Sequence, residues 1–416
     1  MEKRVKQGEY SGVVSIPSSK SDGQRAILAA ALSQVETELV GIGNSNDEQR
    51  MLENVQALGA TIEFVSGEVT IFQGLKKFPK TANLNVGESG LGVRLITSMC
   101  AAHDGEFSIE GEGSLLERPQ DFFQVHLPKL GSSISSNSGK LPFTINGPMK
   151  GGEIDVDGSM SSQFLSGLLM ALPLIDNDTI LNVHDLKSIP YVEMTLNTLM
   201  FFGIEIEHDD FKQFRIKGGQ KYSCYSYAIE RDWSSASYWL VAAALDQPIV
   251  VQGLSLSSLQ ADLAILDALN AAGCMISLDE DILLIDGENR KAFSFDATHC
   301  PDLFPALVTF AAFCEGVTTI SGVNRLKNKE SDRGLVLQAE FAKLGLKIEL
   351  NEDVMTIHGG TKLHTADADA HNDHRIAMCL AIAGTLIEDG VTISGAESVA
   401  KSYPGFWDDL DALAFN

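Results

Sequence analysis

The stretch QALGATIEF at residues 56–64 reads as the end of an apolar helix, a glycine, two residues and an isoleucine that opens a strand. The same order returns in PKLGSSISS around Gly131, MFFGIEIEH around Gly203, NAAGCMISL around Gly273 and AKLGLKIEL around Gly345, at separations of 72, 72, 70 and 72 residues. Glycine closes a helix in the left-handed conformation without a Cβ penalty, so each segment predicts a helix capped by glycine and followed at once by a strand. A recurrence at fixed period makes the whole chain a set of repeated units.

A second series keeps the period: ELVG (Gly41), SIEG (Gly111), ILNV (Val183), VVQG (Gly253) and TISG twice (Gly322, Gly395), separated by 70, 72, 70, 69 and 73 residues. These β-branched runs end on a turn residue and predict strands. Each unit then contains a helix, a strand, a helix and two strands. The sixth copy closes on PGFWDDLDALAFN without its last two strands, and the N-terminal runs RVKQG and SGVVSIP are predicted to supply them. Residues 1–18 plus 232–416 would then form a discontinuous domain of three repeat units, and residues 19–231 an inserted domain of three, with hinge crossings near Ser18 and Arg231. An open solenoid is the competing architecture; the long units and the split sixth unit favour closure.

Composition narrows the function. At 416 residues and 44% hydrophobic, the chain can bury more than one core. A net charge of -25 opposes a phosphate-tracking surface, which excludes nucleic acid but allows a local positive pocket for a small anion. Six scattered cysteines without a C-x-x-C pair fit reduced thiols in the cytoplasm. The N-terminus lacks the apolar run of a signal peptide, and the longest uncharged apolar run, residues 164–175, is too short to span a bilayer, so no membrane association is expected.

The first helix of each unit opens with a polar or glycine-containing segment, and the six openings align on Ser21, Gly90, Ser161, Ser234, Asp302 and Asp373. If the units of each domain are arranged alike, these helix starts share one face, and the two faces meet at an interdomain cleft. Helix starts present free N–H groups and partial positive charge, which suits anions. In IPSSKSDGQRAILAAAL, residues 16–32, Ala26, Ile27, Ala30 and Ala31 predict a helix with one buried face. Lys20 and Arg25 add positive charge at its start, against the dipole unless an anion compensates. NDHRIAM repeats the pattern with Arg375, whereas RDWSSASY is best read as ordinary capping. GESGLG lacks the following Gly-Lys-Ser/Thr of a phosphate loop. His371 and His374 lack a ligand constellation, so no metal is expected.

The segments PSSKSDGQRAILAAAL, LLERPQ, DGSMSSQFLSGLLM, SIPYVEMTLN, RDWSSASYWLVAAAL, NKESDR, NDHRIAMCLA and AKSYPGF, in order across residues 17–406, together resemble the 3-phosphoshikimate 1-carboxyvinyltransferase family. The resemblance implies an α/β fold of two similar domains, each of three βαβαββ units, closing around an interdomain active-site cleft. It implies transfer of the carboxyvinyl group of phosphoenolpyruvate to the 5-hydroxyl of shikimate 3-phosphate, with release of phosphate, on the route to chorismate and the aromatic amino acids. It also implies a monomer without cofactor or metal.

Carried over by motif, Ser21, Arg25, Ser161, Ser162, Ser188 and Lys329 would hold shikimate 3-phosphate, and Gln163 would touch both ligands. Lys20, Gly90, Arg118, Arg333, Arg375 and Lys401 would surround phosphoenolpyruvate. Fixed guanidinium donors suit a ligand with both carboxylate and phosphate. Asp302 and Glu330 would transfer protons, with Lys20 as a further carrier, and the division of steps among them is open. Glu88, Leu91 and Arg325 depart from the family's usual residues, and Glu88 is expected to bring negative charge near an anion site. The first two lie beside Gly90, where the inhibitor glyphosate competes with phosphoenolpyruvate, and predict reduced sensitivity to it. Two rivals remain: an enzyme adding the same group to a UDP-amino sugar, UDP-N-acetylglucosamine enolpyruvyl transferase, and a noncatalytic binder of phosphorylated metabolites. The first is expected to carry a loop cysteine near LLERPQ, and no cysteine lies between Cys100 and Cys224.

Overall fold

The computed structural model describes residues 1–279 and 282–414. It divides into two compact units, Ser18–Glu230 and Met1–Pro17 with Arg231–Asn416.

In Ser18–Glu230, strands Thr81–Asn85 and Glu106–Glu110 run parallel, with helix Gly90–Ala102 as their crossover. Lys140–Asn146 returns antiparallel beside the second strand, and Ser133–Asn137 forms the far edge. Gly152–Asp157, Thr179–His184, Gln213–Ile216 and Ile206–Asp209 repeat this order. In the third sheet, strands Thr37–Val40, Val69–Gln73 and Thr61–Phe64 precede any local parallel partner. The end of the unit supplies one, Ser226–Ala228.

The other unit contains the same sheet in Ser294–Asp296, Gly316–Ser321, Val354–Gly359 and Lys347–Asn351. Its N-terminal strands go to two sheets, which corrects the expectation that both complete the sixth copy. Glu2–Val5 does join that copy, antiparallel to Val391–Ser394, which is itself parallel to Asp367–Asp369. Gly12–Ser15 instead lies parallel to Ile249–Gln252, in the sheet of Ile282–Asp286 and Met275–Asp279. The physical reason is an open parallel edge. Helix Trp233–Ala244 starts its copy with no strand of its own ahead of it, as Lys20–Leu32 does.

All five repeat glycines are left-handed, with φ of 108° at Gly59, 93° at Gly131, 75° at Gly203, 92° at Gly273 and 93° at Gly345. Each leads into the predicted strand. The first helices are more buried than amphipathic patterning suggests. Lys20–Leu32 is buried at every position from Asp22 to Ala31, rather than on one face. It packs between helices Asn46–Ala57, Gly90–Ala102 and Ile189–Phe201 and strands Thr37–Val40 and Val69–Gln73, and its alanines let them approach. Gly90–Ala102 and His374–Gly384 are enclosed in the same way. Each fully buried Leu or Ile of these helices, such as Leu95 and Ile96, stabilises its unit by roughly 1.5–3 kcal/mol. Among the described residues no helix is long and apolar enough to cross a membrane.

Candidate functional site

In Ser18–Glu230, three helix starts are tied together one turn inside their ends. Arg25 is 1% exposed and stands one turn after Ser21, whose carbonyl accepts from Nη1 at 2.6 Å. Its Nε donates to Thr195 Oγ1 at 2.8 Å, and its Nη2 to the Tyr191 carbonyl at 3.2 Å and Ser166 Oγ at 3.4 Å. Thr195 lies in the second turn of helix Ile189–Phe201, and Ser166 in the second turn of helix Ser162–Ala171. Ser21, Ser161, Ser162 and Ser188 therefore open helices that share one buried guanidinium. Ser188 holds a left-handed φ of 54° ahead of its helix, and Ser161 caps its own by accepting from the Gln163 N–H at 3.3 Å. Burial pushes Arg25 down to about 10, partly offset by Asp22.

A second group gathers at helix Gly90–Ala102. Arg94 donates to the Gly90 carbonyl at 3.0 Å and to Gln163 Oε1, and lies over the Phe164 ring at 4.5 Å. A Cβ placed on Gly90 would stand 2.8 Å from Arg118 Nη1 and 3.7 Å from Gln163 Oε1. Gly90, Arg118 and Gln163 are thus neighbours. Ser89 caps this helix and also donates to Gln24 Oε1 at 2.8 Å, linking it to Lys20–Leu32. Lys20 pairs with Asp47 at 3.2 Å, so its charge is not left against the dipole alone.

In the other unit, Asp302, Lys329, Glu330, Arg333 and Arg375 form one ionic cluster. Asp302 Oδ1 accepts from Lys329 Nζ at 3.0 Å and Arg333 Nη1 at 2.6 Å, while Oδ2 lies 3.2 Å from Arg375 Nη2. Arg333 also donates to Glu330 and, through Nε and Nη2, to Asp373 at 2.8 and 3.2 Å. Burial alone would raise the Asp302 carboxyl, but Arg375, Lys329 and Arg333 outweigh it and hold the group well below the usual carboxylate range. Burial lowers the Lys329 ammonium, against the pull of Asp302. Lys401 Nζ donates to the Asn372 carbonyl at 2.6 Å.

Four further participants escaped sequence reasoning: Asp47, Arg94, Asp262 and Asp373. Asp373 was visible only as a helix start, although it braces Arg333, Ser331 and the Arg375 N–H. Asp262 is 1% exposed, accepts from Ser234 Oγ, and is pushed up to about 6 by burial and by the nearby Asp302 charge. Asp47 and Asp373 answer cations distant in sequence, and the partners of Arg94 and Asp262 at Gln163 and Ser234 are likewise far along the chain, which no local motif carries.

The departures from the family pattern are also placed. Glu88 accepts from the Ser114 N–H at 2.9 Å, so its carboxylate turns to the 3-10 turn Gly113–Glu117. Leu91 is 5% exposed and packs in the core. Arg325 lies in the turn Val323–Leu326, where burial lowers its basicity and the fields of Asp302 and Asp353 oppose that.

The profile of the family EPSP synthase (3-phosphoshikimate 1-carboxyvinyltransferase) matches residues 5–410. A 3-phosphoshikimate 1-carboxyvinyltransferase of Clostridium acetobutylicum is 39% identical over 407 residues, 97% of this chain and 95% of its own length. One of Clostridium kluyveri is 36% identical over 403 residues, 97% and 95% of the two chains. An EPSP synthase structure from Acinetobacter baumannii matches with a TM-score of 0.81 over 99% of this chain and 98% of that one, at 24% identity, a likeness of fold.

Proposed function

Since the chain belongs to the EPSP synthase family, we propose that it transfers the carboxyvinyl group of phosphoenolpyruvate to the 5-hydroxyl of shikimate 3-phosphate and releases phosphate. The observation that carries this reading is the ionic cluster on Asp302, where three cations converge on one partly buried carboxylate.

In this proposal Ser21, Ser161, Ser162 and Ser188 take the sugar phosphate, with Arg25 and Lys329 supplying charge. The supporting feature is the set of helix starts above Arg25, whose N–H groups and hydroxyls suit phosphate oxygens. Phosphoenolpyruvate engages Arg118, which a side chain on Gly90 would meet, together with Lys20, Arg333, Arg375 and Lys401. Gln163 sits between the two ligands.

The reaction needs a group that accepts the hydroxyl proton and one that protonates the methylene carbon of phosphoenolpyruvate. A carboxyl held well below its ordinary range is ionised at neutral pH and cannot donate. Asp302 therefore orients the 5-hydroxyl and takes its proton as the new C–O bond makes that hydroxyl acidic. Protonation of the methylene carbon falls to Glu330 or Lys20. Collapse of the tetrahedral intermediate returns one methyl proton to that group and expels phosphate, which carries away the proton taken by Asp302; the surrounding cations stabilise the intermediate and the departing phosphate. We place the enzyme in the cytoplasm as a monomer, a setting that suits its free cysteines.

Phosphate release from phosphoenolpyruvate, assayed with shikimate 3-phosphate, unphosphorylated shikimate or UDP-N-acetylglucosamine as acceptor, tests the reading. Release with the first alone supports it; release with the sugar nucleotide, or with none, overturns it.

A further inference from the structure

Helix Arg333–Lys343 turns two charged residues, Arg333 and Glu340, inward on one face, seven residues apart. Both grip the segment that leads into helix His374–Gly384. Glu340 is 2% exposed; its Oε2 accepts from the Asp369 N–H at 2.9 Å, and its Oε1 lies 2.8 Å from His371 Nε2. Lys343 Nζ completes the shell of that carboxylate at 2.6 and 2.9 Å. At the other end of the segment Arg333 holds Asp373.

Between these two anchors the backbone is strained. His371 and Asn372 have φ of 50° and 54°, consecutive left-handed residues without the freedom of glycine. Such geometry persists only where its surroundings over-determine it. Here the surroundings are the Glu340 contacts, the Asp369 side chain accepting from the His371 N–H at 2.6 Å, and the Asp373 N–H donating to the Ala370 carbonyl at 2.8 Å. The second of these left-handed residues carries the carbonyl that meets Lys401. Asn372 O accepts from Lys401 Nζ at 2.6 Å.

We propose that Glu340 is a positioning residue: through His371 and the Asp369 N–H it holds the left-handed pair in place, so that the Asn372 carbonyl fixes the ammonium of Lys401 for phosphoenolpyruvate. This rests on the reading of Lys401 as a phosphoenolpyruvate ligand. Glu340 touches neither substrate in this scheme. Its effect is confined to the affinity for phosphoenolpyruvate, and the residues proposed for shikimate 3-phosphate are not held by it.

The test is a double-mutant cycle on the full chain, with KM for each substrate and kcat measured for Glu340→Gln, Lys401→Ala and the pair. Glu340→Gln keeps the volume and one acceptor while discarding the charge. His371→Leu, which removes one side of the clamp at a side chain 41% exposed, is the second variant should the first fold poorly. The expected result is a KM for phosphoenolpyruvate raised about tenfold by Glu340→Gln and less by His371→Leu, with KM for shikimate 3-phosphate unchanged, and no further rise when Glu340→Gln is added to Lys401→Ala. Equal increases in both KM values, or effects that multiply in the double variant, overturn the positioning role while leaving Lys401 as a ligand. If Lys401→Ala leaves KM for phosphoenolpyruvate unchanged, the reading of Lys401 fails, and the proposal with it.

Discussion

Arg333 Nη1 lies 2.6 Å from Asp302 Oδ1, and the guanidinium that makes this contact is 1% exposed. The same side chain reaches Glu330 and Asp373, so one cation compensates three carboxylates. Arg333→Leu leaves these charges without their shared partner. A buried pair broken on one side costs about 3–5 kcal/mol, and urea unfolding at neutral pH is expected to show a loss of that size, with turnover abolished. A loss under about 1 kcal/mol would show that Arg333 is not the hub of the cluster.

Asp302→Asn and Glu330→Gln keep shape and remove proton transfer. Each is expected to lower kcat by about 10²- to 10⁴-fold while shikimate 3-phosphate still binds in calorimetry. Lys20→Met completes the set. Whichever of Glu330→Gln and Lys20→Met slows the single-turnover rate more identifies the donor to the methylene carbon. A variant of Asp302 or Glu330 that keeps more than about half its turnover removes that residue from the chemistry.

Asp22 is 3% exposed, accepts from Tyr227 Oη at 2.8 Å and from the Glu230 N–H at 3.1 Å, and is pushed up to about 6 by burial, which those bonds only partly offset. In the unfolded chain it titrates near pH 4. The folded state therefore keeps the proton longer, and the stability it contributes is present in acid and lost as pH rises through about 6. Asp22→Asn has no such titration. Its unfolding free energy relative to the parent is expected to improve by roughly 2–3 kcal/mol between pH 4 and pH 7; a pH-independent difference contradicts the shift.

Much of this architecture was legible because it depends on local chemistry. A glycine that must be left-handed after a helix reports its position wherever it occurs, and Gly59, Gly131, Gly203, Gly273 and Gly345 marked the repeat. The strand Gly12–Ser15 went to another sheet because its partner, Ile249–Gln252, lies far along the chain and edge pairing leaves no local trace. Helix Lys20–Leu32 looked one-sided because alanine fits a buried face and an exposed one alike. The site residues in motifs were readable, but Asp373 and Asp47 act as counter-charges. Arg333 and Asp373 are 40 positions apart, and only the fold makes them a pair.

A Cβ on Gly90 would stand 2.8 Å from Arg118 Nη1 and 3.1 Å from Arg94 Nη1. Both are ends of flexible side chains, so the cost lies at the low end of overpacking, and Gly90→Ala is expected to raise KM for phosphoenolpyruvate about fivefold. Leu91 packs in the core and Glu88 accepts from the Ser114 N–H, and both flank the Gly90 backbone in sequence. Reduced glyphosate sensitivity remains the expectation. An inhibition constant well below KM for phosphoenolpyruvate contradicts it, and Leu91→Thr with Glu88→Asn should lower that constant if it holds.

The most direct test of addition followed by elimination is a turnover in D₂O, with the enolpyruvyl product and released phosphate followed together by NMR. Protonation of the methylene carbon by an enzyme group makes a transient methyl, so deuterium should appear in the vinyl methylene of the product, and only when shikimate 3-phosphate is present. A product without deuterium, or phosphate released in the absence of shikimate 3-phosphate, would contradict the mechanism assigned to Asp302, Glu330 and Lys20.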